Sequence, residues 1–132
     1  MSPRILIADD SQDTLKMLEV FLEFSGWEVF CASNLKEARA KLNANGIHAV
    51  ILDRWFEDKD GLELCREIRR QSPSLPVVVL SGAAYSADLE EARNAGCDAY
   101  LVKPCDVDEL ARILTELLIV SLSQKALTSL PG

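Results

Sequence analysis

Four short apolar runs, residues 5–8, 49–52, 77–80 and 99–102, recur along the chain, each bounded by polar residues, glycine or proline. They are too short for helices, and their unbroken apolar character predicts strands covered on both faces, as in a parallel sheet. Trp27, Val29 and Cys31 alternate with Glu28 and Phe30, which suits a fifth strand at a sheet edge.

Between the strands the apolar positions take helical spacing. Leu15, Leu18 and Leu22 fall on one face, with Gly26 placed to end the helix in a left-handed conformation. Asn34 and Glu37 form a capping-box pattern ahead of Leu35, Ala38 and Leu42, and Gly46 supplies the stop. A third helix carries Leu64 and Ile68 and ends at Ser72 and Pro73. A fourth, over residues 86–95, is rich in alanine, weakly apolar and closed by Gly96, the pattern of a partly exposed element. Asp106 and Glu109 frame a second box opening a last helix with Val107, Leu110, Ile113, Leu114 and Leu117.

Five repeats of strand and helix with short connections predict a doubly wound α/β domain, a five-stranded parallel sheet with helices on both faces. The 132 residues suit one such domain, and 48% apolar with 27% charged residues excludes a disordered chain. A net charge of −7 with scattered Lys and Arg argues against direct nucleic-acid binding. No apolar run approaches the roughly 20 residues that span a bilayer, and Met1 to Arg4 lack signal-peptide architecture, so no membrane association and a cytoplasmic location are expected. Cys31, Cys65, Cys97 and Cys105 are far apart and accompany a single histidine, His48. That excludes a zinc constellation and leaves reduced thiols used for packing.

A doubly wound sheet binds ligands outside the carboxyl ends of its strands. Those positions hold Asp9 and Asp10 after the first strand, Asp53 after the third, Ser81 after the fourth, and Lys103 with Pro104 after the fifth. Singly, each has a plain role: Asp9 or Asp10 could cap the helix starting near Ser11, Ser81 the fourth helix, and Lys103 could be a solvated charge. Together they are a site. Three clustered carboxylates repel one another unless a cation intervenes, and an all-oxygen cluster suits Mg²⁺.

With Asp9-Asp10, Asp53, Ser81-Gly82-Ala83 and Tyr100-Leu101-Val102-Lys103-Pro104 at this spacing, the chain resembles the receiver domains of bacterial two-component response regulators, the CheY-like family. The resemblance covers most of the chain and implies a flavodoxin-like strand order 2-1-3-4-5, with a receiver domain over residues 1–122 and a tail or linker over 123–132. It implies that Asp53 accepts a phosphoryl group from a sensor histidine kinase or phosphotransfer protein. It further implies that Asp10 and Asp53 ligate Mg²⁺ directly, Asp9 through water, and Trp55 through its backbone carbonyl. Ser81 would hydrogen-bond the phosphoryl group, Lys103 would pair with it, Tyr100 would change rotamer between states, and Lys103-Pro104 would be a cis peptide. Trp55 and Ala83 would flank the path of attacking water and so tune the lifetime of the phosphorylated state. Output would pass through the face formed by the fourth helix, fifth strand and fifth helix, to a downstream protein or a second copy.

The chain departs from the family pattern in two places. Glu57 and Lys59 stand where the family usually has proline and an apolar residue, and Cys105 stands where phenylalanine is common. Cys105 reads as a smaller packing group, Arg54 as a solvated charge, and His48, at the far end of the third strand, as structural. Two other functions fit parts of the pattern. A phosphorylation-independent scaffold would use the same fold, but the intact Asp9, Asp10, Asp53, Ser81 and Lys103 argue against it. An aspartate-dependent phosphatase would need a second acid two residues after its nucleophile, where this chain has Trp55; no turnover activity is therefore expected beyond slow autodephosphorylation.

Overall fold

The computed structural model describes residues 2–57 and 59–128. Its elements alternate as β1 (Arg4–Ala8), α1 (Gln12–Phe24), β2 (Glu28–Ala32), α2 (Leu35–Ala44), β3 (Ala49–Asp53), α3 (Leu62–Gln71), β4 (Val77–Ser81), α4 (Ser86–Ala95), β5 (Ala99–Val102) and α5 (Val107–Thr128). The five strands pair in parallel in the order β2-β1-β3-β4-β5, the order the family resemblance implied. A short antiparallel hairpin, Trp55–Phe56 against Lys59–Asp60, stands between β3 and α3. Its two-residue arms are too short to leave a periodic signal in the sequence.

Because successive strand residues point to opposite faces, the sheet sorts its side chains into two cores. Leu6, Val50, Leu52, Val77 and Val79 face one way and pack with Leu35 and Ala38 of α2, Leu64 and Ile68 of α3, and Ala92 and Ala95 of α4. Ile5, Ile7, Ile51, Val78 and Leu80 face the other way, under Leu15, Leu18 and Leu22 of α1 and Leu110 and Leu114 of α5. Each fully buried aliphatic side chain contributes about 1.5–3 kcal/mol, so the central strands anchor both layers.

Local capping follows side-chain chemistry. Asn34 accepts the Glu37 N–H at 2.7 Å, and Asp106 accepts the N–H groups of Asp108 and Glu109 at 2.8 and 3.4 Å. Ser11, rather than Asp9 or Asp10, caps α1, accepting from Thr14 at 3.3 Å. At the sheet edge opposite the strand ends, the Arg69 guanidinium donates to the carbonyls of Gly96 (2.8 Å), Pro73 (2.7 Å) and Leu75 (3.0 Å), and to Asp98 (2.8 Å). Asp98 in turn accepts the Val77 N–H at 2.8 Å. One side chain thus satisfies carbonyls left over where α3 and α4 end. His48 lies on the same edge, its Nδ1 accepting the Arg4 N–H at 2.9 Å.

The end of the chain differs from the expected tail over 123–132. Helix α5 runs on to Thr128, because Ser123, Gln124, Lys125, Ala126 and Leu127 include no glycine or proline to stop it. The rest of that segment, 129–132, lies outside the described residues. Among the described residues no helix is long and apolar enough to cross a membrane.

Candidate functional site

Strands β1 and β3 are neighbours in the sheet, so the residues that follow them emerge side by side. Ligand oxygens of Asp9, Asp10 and Asp53 all lie within 4.8 Å of one another. Asp9 and Asp53 are buried and Asp10 is exposed. Lys103, carried in from β5, places Nζ 3.1 Å from Asp9 and 3.2 Å from Asp53. Burial and the neighbouring Asp9 charge push the Asp53 carboxyl up to about 6, with Lys103 pulling the other way. Burial pulls the Lys103 ammonium down, but Asp9 and Asp53 together outweigh it and hold it above the ordinary lysine value. One ammonium against three carboxylates leaves an excess of negative charge.

The fourth strand end completes the edge. Ser81 is buried, and its Oγ accepts the Ala83 N–H at 3.1 Å. It does not cap α4, whose N-cap is Tyr85, without a side-chain bond. The Tyr100 hydroxyl donates to the Ala83 carbonyl at 2.5 Å, so the ring bridges β5 to the loop that starts at Ser81. The Lys103 N–H donates to the Ser81 carbonyl at 2.8 Å, and the Lys103-Pro104 peptide is cis. Trp55, two residues past Asp53, is 55% exposed. All the residues picked out at the strand ends therefore meet at one edge.

Arg54 corrects the expectation of a solvated charge: its side chain is 3% exposed. Its main-chain N–H donates to Leu80 at 2.8 Å and its carbonyl accepts from Gly61 at 2.5 Å, which holds the residue against β4. The guanidinium meets Asp60 at 3.3 Å, Glu91 at 2.5 Å and Asp88 at 3.6 Å, and lies 5.1 Å from the centre of the Trp55 ring. These partners come from the hairpin that follows Arg54 and from the distant α4, so no local pattern marks the burial. Gly61 was also unmarked. A Cβ there would strike the Asp53 carbonyl oxygen, so only glycine lets α3 start this close to the site; the signal available was Asp60-Gly61 directly before apolar Leu62. Glu57 has φ 54°, and its N–H donates to Asp10 at 2.9 Å. The Cys105 thiol is pushed up, chiefly by burial, away from a reactive thiolate.

The donor set fits Mg²⁺. It is all oxygen, and it concentrates more negative charge than Lys103 offsets.

A family model for the response regulator receiver domain matches residues 5–115. The transcriptional regulatory protein CrdR of Helicobacter pylori is 36% identical over 115 residues, covering 86% of this chain and 54% of that protein. The response regulator MprA of Mycolicibacterium vanbaalenii is 34% identical over 118 residues, covering 89% and 51%. The chain thus spans about half the length of these curated relatives. Among solved structures, a CheY-like response regulator receiver domain protein from Methanospirillum hungatei superposes with a TM-score of 0.88 at 29% identity, covering 94% of this chain and 99% of that one. NtrX from Brucella abortus in complex with ATP also gives 0.88, at 30% identity, with all of this chain matching 31% of that one. By family model, sequence relatives and fold, the chain belongs to the response regulator receiver domains of two-component systems.

Proposed function

We propose that Asp53 accepts a phosphoryl group from the phosphohistidine of a sensor histidine kinase or phosphotransfer protein, and that the modified domain acts on a partner. The observation that carries this reading is Lys103 Nζ set between the buried Asp9 and Asp53, with Asp10 beside them. An Asp53 oxygen bonds to phosphorus as the phosphorus–nitrogen bond to the partner's imidazole breaks, the electron pair leaving with nitrogen. A carboxylate is a weak nucleophile toward an anionic phosphoryl group, so positive charge has to meet the charge that accumulates. Lys103 supplies part of it. Mg²⁺, held by Asp10 and Asp53, by Asp9 through water and by the Trp55 carbonyl, would supply the rest.

The new phosphoryl oxygens then offer the Ser81 hydroxyl a stronger acceptor. Movement of Ser81 displaces the loop through Ala83, and with it Tyr100, whose hydroxyl is bonded there. The α4-β5-α5 face changes shape, and a downstream protein or a second copy reads the change. No nucleic acid or membrane contacts the domain directly, and the site of action is the cytoplasm. The domain turns over no substrate and loses its phosphoryl group by slow autodephosphorylation.

Intact mass after incubation with Mg²⁺ and a small phosphodonor tests the reading. The expected result is one added phosphoryl group in the parent and none in Asp53→Ala; no adduct with any donor would leave the phosphorylation-independent scaffold.

A further inference from the structure

Arg54 sits one residue past the proposed phosphoacceptor, yet its guanidinium serves α4. Its main chain is bonded to Leu80 of β4 and to Gly61 at the start of α3, so the side chain projects from a fixed base. Asp88 and Glu91, three residues apart, present their carboxylates from one face of α4. Nη2 lies 2.5 Å from Glu91, whereas Nη1 is buried and has no hydrogen-bond partner among the described residues, the Asp88 carboxylate standing off at 3.6 Å. A buried donor left unmet is costly, and a displacement of α4 by less than its own hydrogen-bond length would meet it. The helix is less anchored at that end than at the other. Its N-terminus has no side-chain cap, and its buried residues, Ala92 and Ala95, lie in its second half.

We propose that Arg54 is a positioning residue coupling the phosphoacceptor to α4, holding the helix by Glu91 in the arrangement described here and taking up Asp88 when the loop through Ala83 moves. The proposal rests on the reading of Asp53 as phosphoacceptor. Asp60, 3.3 Å from Nε, keeps the guanidinium paired throughout, and the shift of weight between Glu91 on Nη2 and Asp88 on Nη1 gives α4 two defined positions rather than a continuous range.

The test is hydrogen exchange of the α4 amides in the full chain, with and without phosphodonor and Mg²⁺, with intact mass recorded on the same samples. Arg54→Met removes a buried charge and carries a risk of misfolding, so the variants are Glu91→Ala, at a 57% exposed side chain, and Asp88→Asn, at a 24% exposed one. Glu91→Ala should raise α4 exchange before phosphorylation, toward the level of the phosphorylated parent. Asp88→Asn should leave the unmodified pattern as in the parent and lose the phosphorylation-dependent change, although its mass shows the adduct. Equal rises in both variants would mark Arg54 as a static counter-ion and overturn the coupling. So would an unaltered response in Asp88→Asn with the adduct present. Absence of the adduct in the parent itself would overturn the functional reading, and the coupling with it.

Discussion

The Asp10 carboxylate accepts the main-chain N–H of Glu57 at 2.9 Å, across 47 positions of the chain. Glu57 stands where the family usually carries proline, and it has φ 54°. Proline has no N–H to donate and is locked near −65°. The hairpin after β3 is therefore a different loop from the one a proline would make, and it reaches back to hold an acid of the candidate metal site.

Substitutions at this position separate the two properties. Glu57→Gly keeps the donor and suits the left-handed backbone, so it should leave stability unchanged or raise it by up to about 1 kcal/mol. Glu57→Pro loses both and should cost more than about 1 kcal/mol, with weaker Mg²⁺ binding as Asp10 is freed. Urea unfolding and Mg²⁺ titration of Trp55 emission in a Trp27→Phe background measure these; a proline variant equal to the parent in both would show that the bond does not position Asp10.

Lys103→Ala leaves Asp9 and Asp53 close together without their counter-ion. Full loss of a buried pair costs about 3–5 kcal/mol. The Lys103 side chain keeps 31% exposure, so a cost of about 2 kcal/mol is expected from solvent screening. Added Mg²⁺ should restore most of it and bind at least as tightly as in the parent, since a neighbouring positive charge is gone. Denaturation with and without Mg²⁺ decides; a variant that loses metal affinity would mean that Lys103 assembles the cluster.

Neither Trp55 nor Ala83 carries a group able to accept a proton from attacking water. The phosphorylated parent should therefore release phosphate more slowly than Trp55→Asn or Ala83→Glu, each of which introduces a polar side chain at a position where the family resemblance implies that attacking water passes. Timed phosphate release from the purified phosphoprotein gives the answer, and equal decay in all three would place control of water elsewhere.

His48 predicts a pH dependence remote from the site. Its Nδ1 accepts the Arg4 N–H, a bond only the neutral ring can make. Burial, reinforced by the charges of Lys125 and Arg4, holds its pKa below 6.5 in the folded state. The unfolded chain thus binds the proton more readily, and the stability contributed by His48 is complete above about pH 6.5 and is lost as pH falls toward the lower folded value. Subtracting the pH profile of His48→Ala from that of the parent should leave a difference falling through that window; a flat difference would show that the ring titrates normally.

Legibility in the sequence followed the range of the forces involved. Helix α4 spans Ser86–Ala95 with Gly96 at φ 99°, as its composition and glycine stop predict, because helix ends are decided by neighbours within a turn. The strand-end acids were legible because topology alone brings strand ends together. Arg54 was not, since its burial depends on Asp60, Asp88 and Glu91, and only the assembled fold sets them around it. The reach of α5 to Thr128 was less legible, because Ser121, read as part of a helix end and tail, is buried by packing that only the assembled fold supplies.

The Arg69 network gives the domain an unequal stiffness. By clasping the Gly96 carbonyl, the end of α3 and Asp98 together, it clamps the C-terminal end of α4, while the first half of the helix, uncapped at Tyr85, is held among the described residues by the Arg54 ion pairs to Asp88 and Glu91. Helix α4 is therefore a lever with its fulcrum at Gly96 and its arm above the acidic edge. At about 1.5 Å per residue, an arm of ten residues turns a tilt of a few degrees at the fulcrum into roughly an ångström of travel at its tip.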